Sequence, residues 1–409
     1  MTSTMLNACM RFIALFTAAL LMTLTLSGCW NRRELNDMAV AIAIGIDRVD
    51  EQYEVTIQTV DPSQMSNNRN VDRFPTRIYS EKASTIFEAL RKVTSKSSRK
   101  IYLAHLLLLL FNEEMARDGI KEPLDFLFRD HEVRPDFNIA VTRGYQTKDV
   151  LSIVTPLEVL SALDLYRSLN VSQKLWAPTA AVNINEMMVM LTNDGVEPIL
   201  TGLTLIGDLN KGLSADNVKQ PRPYLYFKFK GIGVFRKDRL VGWLNEPDSK
   251  SFSYVNNHVS STVGSVQCPG SKKRFAIELV KSKVSREPSI RNGSPHMKLI
   301  VHVSGNVGEV QCETEINDKS IIELQELASE QLKSIIENSI QHVQSQYGVD
   351  IYGFGANFHQ KYPKQWRQWR TNWNEQFAQM SIEVQMDYHL RLIGKIISPF
   401  GNNPQQKKE

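Results

Sequence analysis

The side chains that could do chemistry in this chain are scattered. Eight histidines stand at positions 105, 131, 258, 296, 302, 342, 359 and 389, none with a second histidine three or four residues away to share a helix face and a metal. The four cysteines, at 9, 29, 268 and 312, lack the CxxC spacing of a zinc site. No GxSxG nucleophile elbow, no phosphate-cradling GxxxxGK[ST] loop and no HExxH pair is present. Gly353-Phe354-Gly355 superficially resembles a glycine-rich loop, but it follows a helical pattern rather than a strand, and a turn explains it better. The expectation is a protein that is not an enzyme and holds no metal.

One constellation does stand out. Trp366, Trp369, Trp373 and Phe377 recur at i, i+3, i+7 and i+11, one stripe of a helix starting near Pro363. Such a stripe serves either as a face for a partner helix or membrane interface, or as the anchor of a domain core. The spacing favours the core, since three large rings on one stripe bury well.

The thiol of Cys29 sits where the chain changes character. Between Arg11 and Arg32 there is no charge, and Phe12 to Leu26 is an apolar run of 15 residues. As a helix it would span about 22 Å, short of the roughly 30 Å hydrocarbon core, which is the size of a signal-peptide h-region. Leu26-Ser27-Gly28-Cys29 then resembles the lipobox of bacterial lipoproteins. Two small residues let an extended backbone enter a peptidase cleft. The thiol accepts a diacylglyceryl group, and cleavage makes Cys29 an N-terminus that takes an N-acyl chain. At about 0.8 kcal/mol per buried CH2, one chain binds marginally and two hold a protein on the bilayer. Trp30 suits the headgroup zone, and Arg32 and Arg33 can face anionic lipid. Residues 1–28 are therefore expected to be a removed signal, with Cys29 lipidated and no other cofactor. The mature chain would sit on the outer face of a cytoplasmic membrane.

That leaves Cys268 and Cys312 outside the reducing cytosol, where a disulfide and two buried thiols are both open readings.

The elements that must position these residues read as mixed α and β. Met38 to Asp47 alternates Val and Ile with Ala and Gly, a central strand with a close-packed small side, and Tyr53 to Val60 pairs with it. A helix over Thr85 to Lys96 and a fully apolar buried strand over Ile101 to Phe111 follow. Next come a helix from Glu113 to Phe128, a strand at Asp136 to Arg143 and two helices up to Thr192. Leu209 to Pro223, rich in turn formers, reads as the main linker. Beyond it, Ile232–Phe235 and Leu240–Trp243 form a hairpin, and strands lie at Phe275–Val284 and Met297–Val303. A long helix over 320–347 is signalled by Ser320 and Glu323 as a capping box and by Ile321, Leu324, Ala328, Leu332, Ile335, Ile340 and Val343 on one face. Strict alternation over Ser381 to Leu392 gives a half-buried strand. The domain expectation is 29–208 as an N-terminal α+β region, 209–223 as linker, 224–397 as a C-terminal α+β domain with an antiparallel sheet, and 398–409 as a flexible tail.

Net charge is only +4, from 48 Lys and Arg against 44 Asp and Glu, with no concentrated basic stripe to hold nucleic acid. The basic run Lys92 to Lys100 is interleaved with Ser and Thr and reads as a solvated loop.

Three segments together resemble one family. They are CWNRRELNDMAVAIAIGID from Cys29, GIGVFRKDRLVGWLNE from Gly231, and YGVDIYGFGANFHQKYPKQWRQWRTNWNEQF from Tyr347. In this order they are similar to the Ger(x)C family, the C-subunit lipoproteins of GerA-type spore germinant receptors. The resemblance implies a multi-domain α+β architecture of mixed sheets and packed helices, three structural domains in an open arrangement. It implies a non-catalytic, lipid-anchored subunit needed for nutrient-triggered germination, at the inner membrane of the dormant spore. Its partners would be an A subunit, a permease-like B subunit and membrane lipid. Only the lipid-bearing cysteine carries over as a functional residue, onto Cys29. A solute-binding lipoprotein of an importer is the competing reading, but it calls for two α/β lobes with strand and helix alternating throughout.

Overall fold

The computed structural model describes residues 2–25, 38–60, 74–312 and 318–392. Cys29, the end of the signal and the tail at 398–409 lie outside the described residues. Helix α1 (Thr2–Thr25) carries the apolar run, with Phe12, Leu15 and Phe16 exposed. No described helix is long and apolar enough to cross a membrane.

The first sheet begins with β1 (Met38–Val49) and β2 (Gln52–Val60), joined through Asp50 and Glu51 at φ 49° and 61°. Two left-handed residues make the tight hairpin turn whose twist matches the strands. Then come β3 (Thr76–Ala83), α2 (Ile86–Val93), β4 (Lys100–Tyr102), β5 (Leu108–Asn112), α3 (Glu113–Asp118), α4 (Lys121–Arg129) and β6 (Asn138–Thr142). Next are α5 (Thr147–Leu151), α6 (Ser161–Leu175), β7 (Val182–Asn183), α7 (Ile184–Thr192) and β8 (Ile199–Gly207). After α8 (Leu209–Gly212), β9 (Leu225–Arg236) and β10 (Arg239–Trp243) close the series. The strand order is β10-β9-β8-β6-β5-β1-β2-β3, with β4 on β1 and β7 on β6. β1 is central, parallel to β5 and antiparallel to β2. Its small side admits α5 closely, since a Cβ on Gly45 would collide with Thr147. Two apolar clusters fill the faces of this sheet, one running on through the rest of the molecule and one under α5 and α6 around Leu108, Leu110, Val150 and Leu165.

Three expectations are corrected here. The apolar run 101–111 is two strands: β1 advances from Val40 to Ala43 while its neighbour advances from Tyr102 to Leu108, so extra residues loop out beside a bulge in β1. The helix expected over 113–128 breaks at Gly119, whose φ of 136° a helix cannot hold. Residues 209–223 do not separate two sheets. They connect β8 to β9, antiparallel neighbours in one sheet, and Asn217 pins the loop by donating to Val154 and Leu225 and accepting from Leu225. Turn formers there build a long hairpin connection.

The second sheet follows α9 (Glu246–Val255): β11 (Thr262–Gln267), β12 (Arg274–Arg291) and β13 (Ser294–Val310), then helices α10 (Asp318–Gln346), α11 (Phe354–Lys361), α12 (Pro363–Trp369) and α13 (Trp373–Gln379), and last β14 (Ser381–Leu392). Its order is β11-β12-β13-β14. The first three strands are antiparallel, but β14 runs parallel to β13 from His296 and Ser381 to Val307 and Leu392, so the sheet is mixed rather than antiparallel. Cys268, after β11, and Cys312, after β13, are joined by a disulfide. Helix α10 starts two residues before Ser320, and its inner face uses Ile336 rather than Ile335, in step with Leu332 and Ile340.

Candidate functional site: two buried aspartates that fix the packing

The end of α10 and the hairpin β9–β10, far apart in sequence, meet in one joint. Gly348 ends the helix at φ 58°, and the chain turns at once into Val349 and Asp350. Tyr347 donates its phenol hydrogen to the Trp243 carbonyl at 3.0 Å and accepts at its own carbonyl from Arg236 at 2.8 Å. The Glu197 backbone amide donates to the Asp350 carbonyl at 2.7 Å, and the Glu197 carboxylate accepts from Asn374 at 2.8 Å and from the Lys237 amide at 2.5 Å.

At the centre Asp350 is fully buried. Its Oδ1 accepts from the amides of Tyr352 at 3.0 Å and Gly353 at 2.9 Å, and its Oδ2 from the Gly355 amide at 2.8 Å and the Trp373 indole at 2.9 Å. The first three donors open α11, whose preceding residue Gly353 takes φ 73°. Burial pushes the Asp350 carboxyl above its usual range, opposed by the hydrogen bonds of Gly355 and Trp373 and by the charge of Arg286. All four donors are N–H groups, so the joint is built for the ionised carboxylate. Arg286 on β12, itself pushed down by burial, donates to the carbonyls of Tyr352 and Val255 at 2.8 Å and to Asn256 at 2.6 Å. Backbones touch here: a Cβ on Gly355 would lie 2.6 Å from the Gly195 Cα, and one on Gly195 would lie 2.6 Å from the Ala356 nitrogen. Only glycine at both positions permits that approach.

The aromatic stripe faces inward. Trp366, Trp369, Trp373 and Phe377 are all buried, and α12 and α13 are separated by a 3-10 turn at 370–372. The rings of Trp366 and Trp373 lie 5.2 Å apart, and Phe358 packs on Trp369 and Trp373. Tyr352 stacks on Phe354 at 5.3 Å in the same nest. Cys268 and Cys312 lie elsewhere, at the end of the sheet.

A second buried acid sits at the end of the Gly45-Ile46-Asp47 run. Asp47 accepts from the Thr147 amide at 3.0 Å and the Thr147 hydroxyl at 2.5 Å, fixing the start of α5 on β1. Burial and the Glu54 charge push its carboxyl up from 3.8 to about 6, against the two Thr147 hydrogen bonds. A folded pKa above the unfolded one favours the protonated native state, so this contribution is whole below about pH 4 and lost as pH rises to about 6, a fall on the order of 3 kcal/mol. Asp47→Asn keeps an acceptor for the Thr147 amide and cannot ionise. The melting temperature of the variant, taken relative to the unsubstituted chain, is expected to climb between pH 4 and 7. An unchanging difference would remove Asp47 from the account.

Sequence reasoning singled out the tryptophans and missed the acceptor of Trp373. The signal was the acid itself, three and five residues ahead of two glycines whose amides it collects. Both aspartates are buried, and what they hold are backbone amides, the Thr147 hydroxyl and the Trp373 indole. Their chemistry is positional.

Residues 31–205 match the family described as "Spore germination protein N-terminal domain", and residues 230–394 match "Spore germination B3/ GerAC like, C-terminal". The chain is 28% identical over 394 residues to Spore germination protein KC of Bacillus subtilis (strain 168), covering 94% of this chain and 95% of that protein. It is 22% identical over 400 residues to Spore germination protein B3 of the same organism, covering 95% and 100%. The crystal structure of the GerBC protein shares the fold, with a TM-score of 0.57 at 19% identity over 86% of this chain and 97% of that one.

Proposed function

The chain belongs to the spore germination B3/GerAC-like family, and from that premise we propose that it is the lipid-anchored, non-catalytic subunit of a spore germinant receptor. The observation that carries the reading is the order of its parts. The family match opens at residue 31, two residues beyond Cys29, and runs in two blocks to residue 394. A lipid on Cys29 leaves residues 30–37 as a tether, at most about 30 Å when extended. The folded body would then be held against the bilayer, which raises its effective concentration toward A and B membrane subunits. The acids that could have served chemistry instead organise backbone amides inside the protein, in keeping with a role in assembly.

Cys29→Ala in the full-length chain is the test. The variant is expected to be depleted from the spore membrane fraction and to slow nutrient-triggered germination sharply, since it lacks the two acyl chains that hold a protein on the bilayer. Membrane retention and wild-type germination together would refute the anchor. Failure of A and B subunits to copurify with the lipidated chain would refute the receptor assignment.

A further inference from the structure

The four-stranded sheet holds a second feature, independent of the lipid and of receptor membership. Between α9, α10 and the β11–β12 pair lies a cleft of about 220 Å³. Ile277, Leu279, Ala328 and Leu332 give it apolar walls, and Lys250 stands among its lining residues. That ammonium is already engaged, 3.3 Å from Glu246 and over the Trp176 ring at 3.8 Å, so the cleft carries no free charge.

Thr262, Ser265 and Gln331 are polar members of the lining, and two phenols join them. Tyr254 on α9 and Tyr388 on β14 both line the cleft, at 4% and 7% exposure. Among the described residues neither hydroxyl has a hydrogen-bond partner, and neither oxygen is sealed from solvent, so both are free to meet a solute. Burial pushes both phenols up, and Tyr388 pushes Tyr254 further, so both stay protonated and both are donors. Two O–H donors lining one cleft with apolar walls suit an oxygen acceptor at the end of an apolar body.

We propose that this cleft is a binding site for a small molecule with a compact aliphatic or aromatic body ending in a carbonyl or carboxylate oxygen. The body fills the space between Ile277 and Leu332, and the oxygen accepts from Tyr254 and Tyr388. Nothing in the family-level reading assigns a ligand to this half of the chain.

The test uses the full mature chain carrying Cys29→Ala, so that no detergent competes for apolar probes. 4-Methylpentanoate and 4-methylpentanamide share one apolar body and differ only in the charge of the head. At least one is expected to saturate in calorimetry with a Kd of about 1 mM, the scale for a ligand of this size. Tyr254→Phe with Tyr388→Phe removes both donors without removing the rings and is expected to weaken binding about tenfold. Ala328→Phe fills the cleft and is expected to abolish binding while the thermal melt stays cooperative. If neither probe saturates, or if the double phenylalanine variant binds as tightly as the parent, the proposal is wrong and the cleft holds only water.

Discussion

Replacing Asp350 with alanine is expected to destabilise the chain by about 3–5 kcal/mol, measured by urea unfolding followed by circular dichroism. The removed carboxylate leaves four buried N–H donors, on Tyr352, Gly353, Gly355 and Trp373, with no acceptor. It also strips the mostly buried Arg286 of its opposing charge. Asp350→Asn separates these causes from lost volume. The amide keeps one acceptor oxygen but turns an NH2 toward N–H donors, so it is expected to lose most of the same stability. An asparagine variant as stable as the parent would mean the carboxylate is replaceable, and the joint would need another explanation.

Trp373→Ala is the second large effect, about 3–5 kcal/mol, because it empties the space between Phe358, Trp366 and Gly355. Trp373→Phe retains most of the packing and loses only the indole donor to Asp350, and should cost about 1–3 kcal/mol. The two sites share a hydrogen bond, so their substitutions are expected to be non-additive by more than about 0.5 kcal/mol in a double-mutant cycle. A Trp373→Ala chain with unchanged stability that no longer copurifies with membrane subunits would return the stripe to the role of a contact surface.

What the sequence could show and what it could not divides along one physical line. Alternation and helical spacing report which face of an element is buried, and β1, the β9–β10 hairpin, α10 and β14 were all legible on that basis. Periodicity says nothing about which element covers that face or in which direction it runs. So the alternation of Ser381 to Leu392 gave a strand but not its parallel partner, and 209–223 gave turns but not the pairing of β8 with β9 around them. Glycine at 195 shows the same limit, since its partner backbone at 355 is distant in sequence. A single acid such as Asp350 has no period at all. The two strand–helix lobes that a solute-binding lipoprotein would need are not what these strands make: β8, β9 and β10 are antiparallel, and the sheets share one continuous apolar cluster.

The parallel placement of β14 carries a consequence for how the molecule is made. Its partner, His296 opposite Ser381, lies 85 positions earlier (381 − 296), and α10 rests against β14. Contacts so distant along the chain form late. While synthesis is under way, α10 exists without the strand it lies against, and the second sheet stays one strand short. Closure comes only when the final strand emerges, so truncation ahead of residue 381 would release a polypeptide that a quality-control protease should remove.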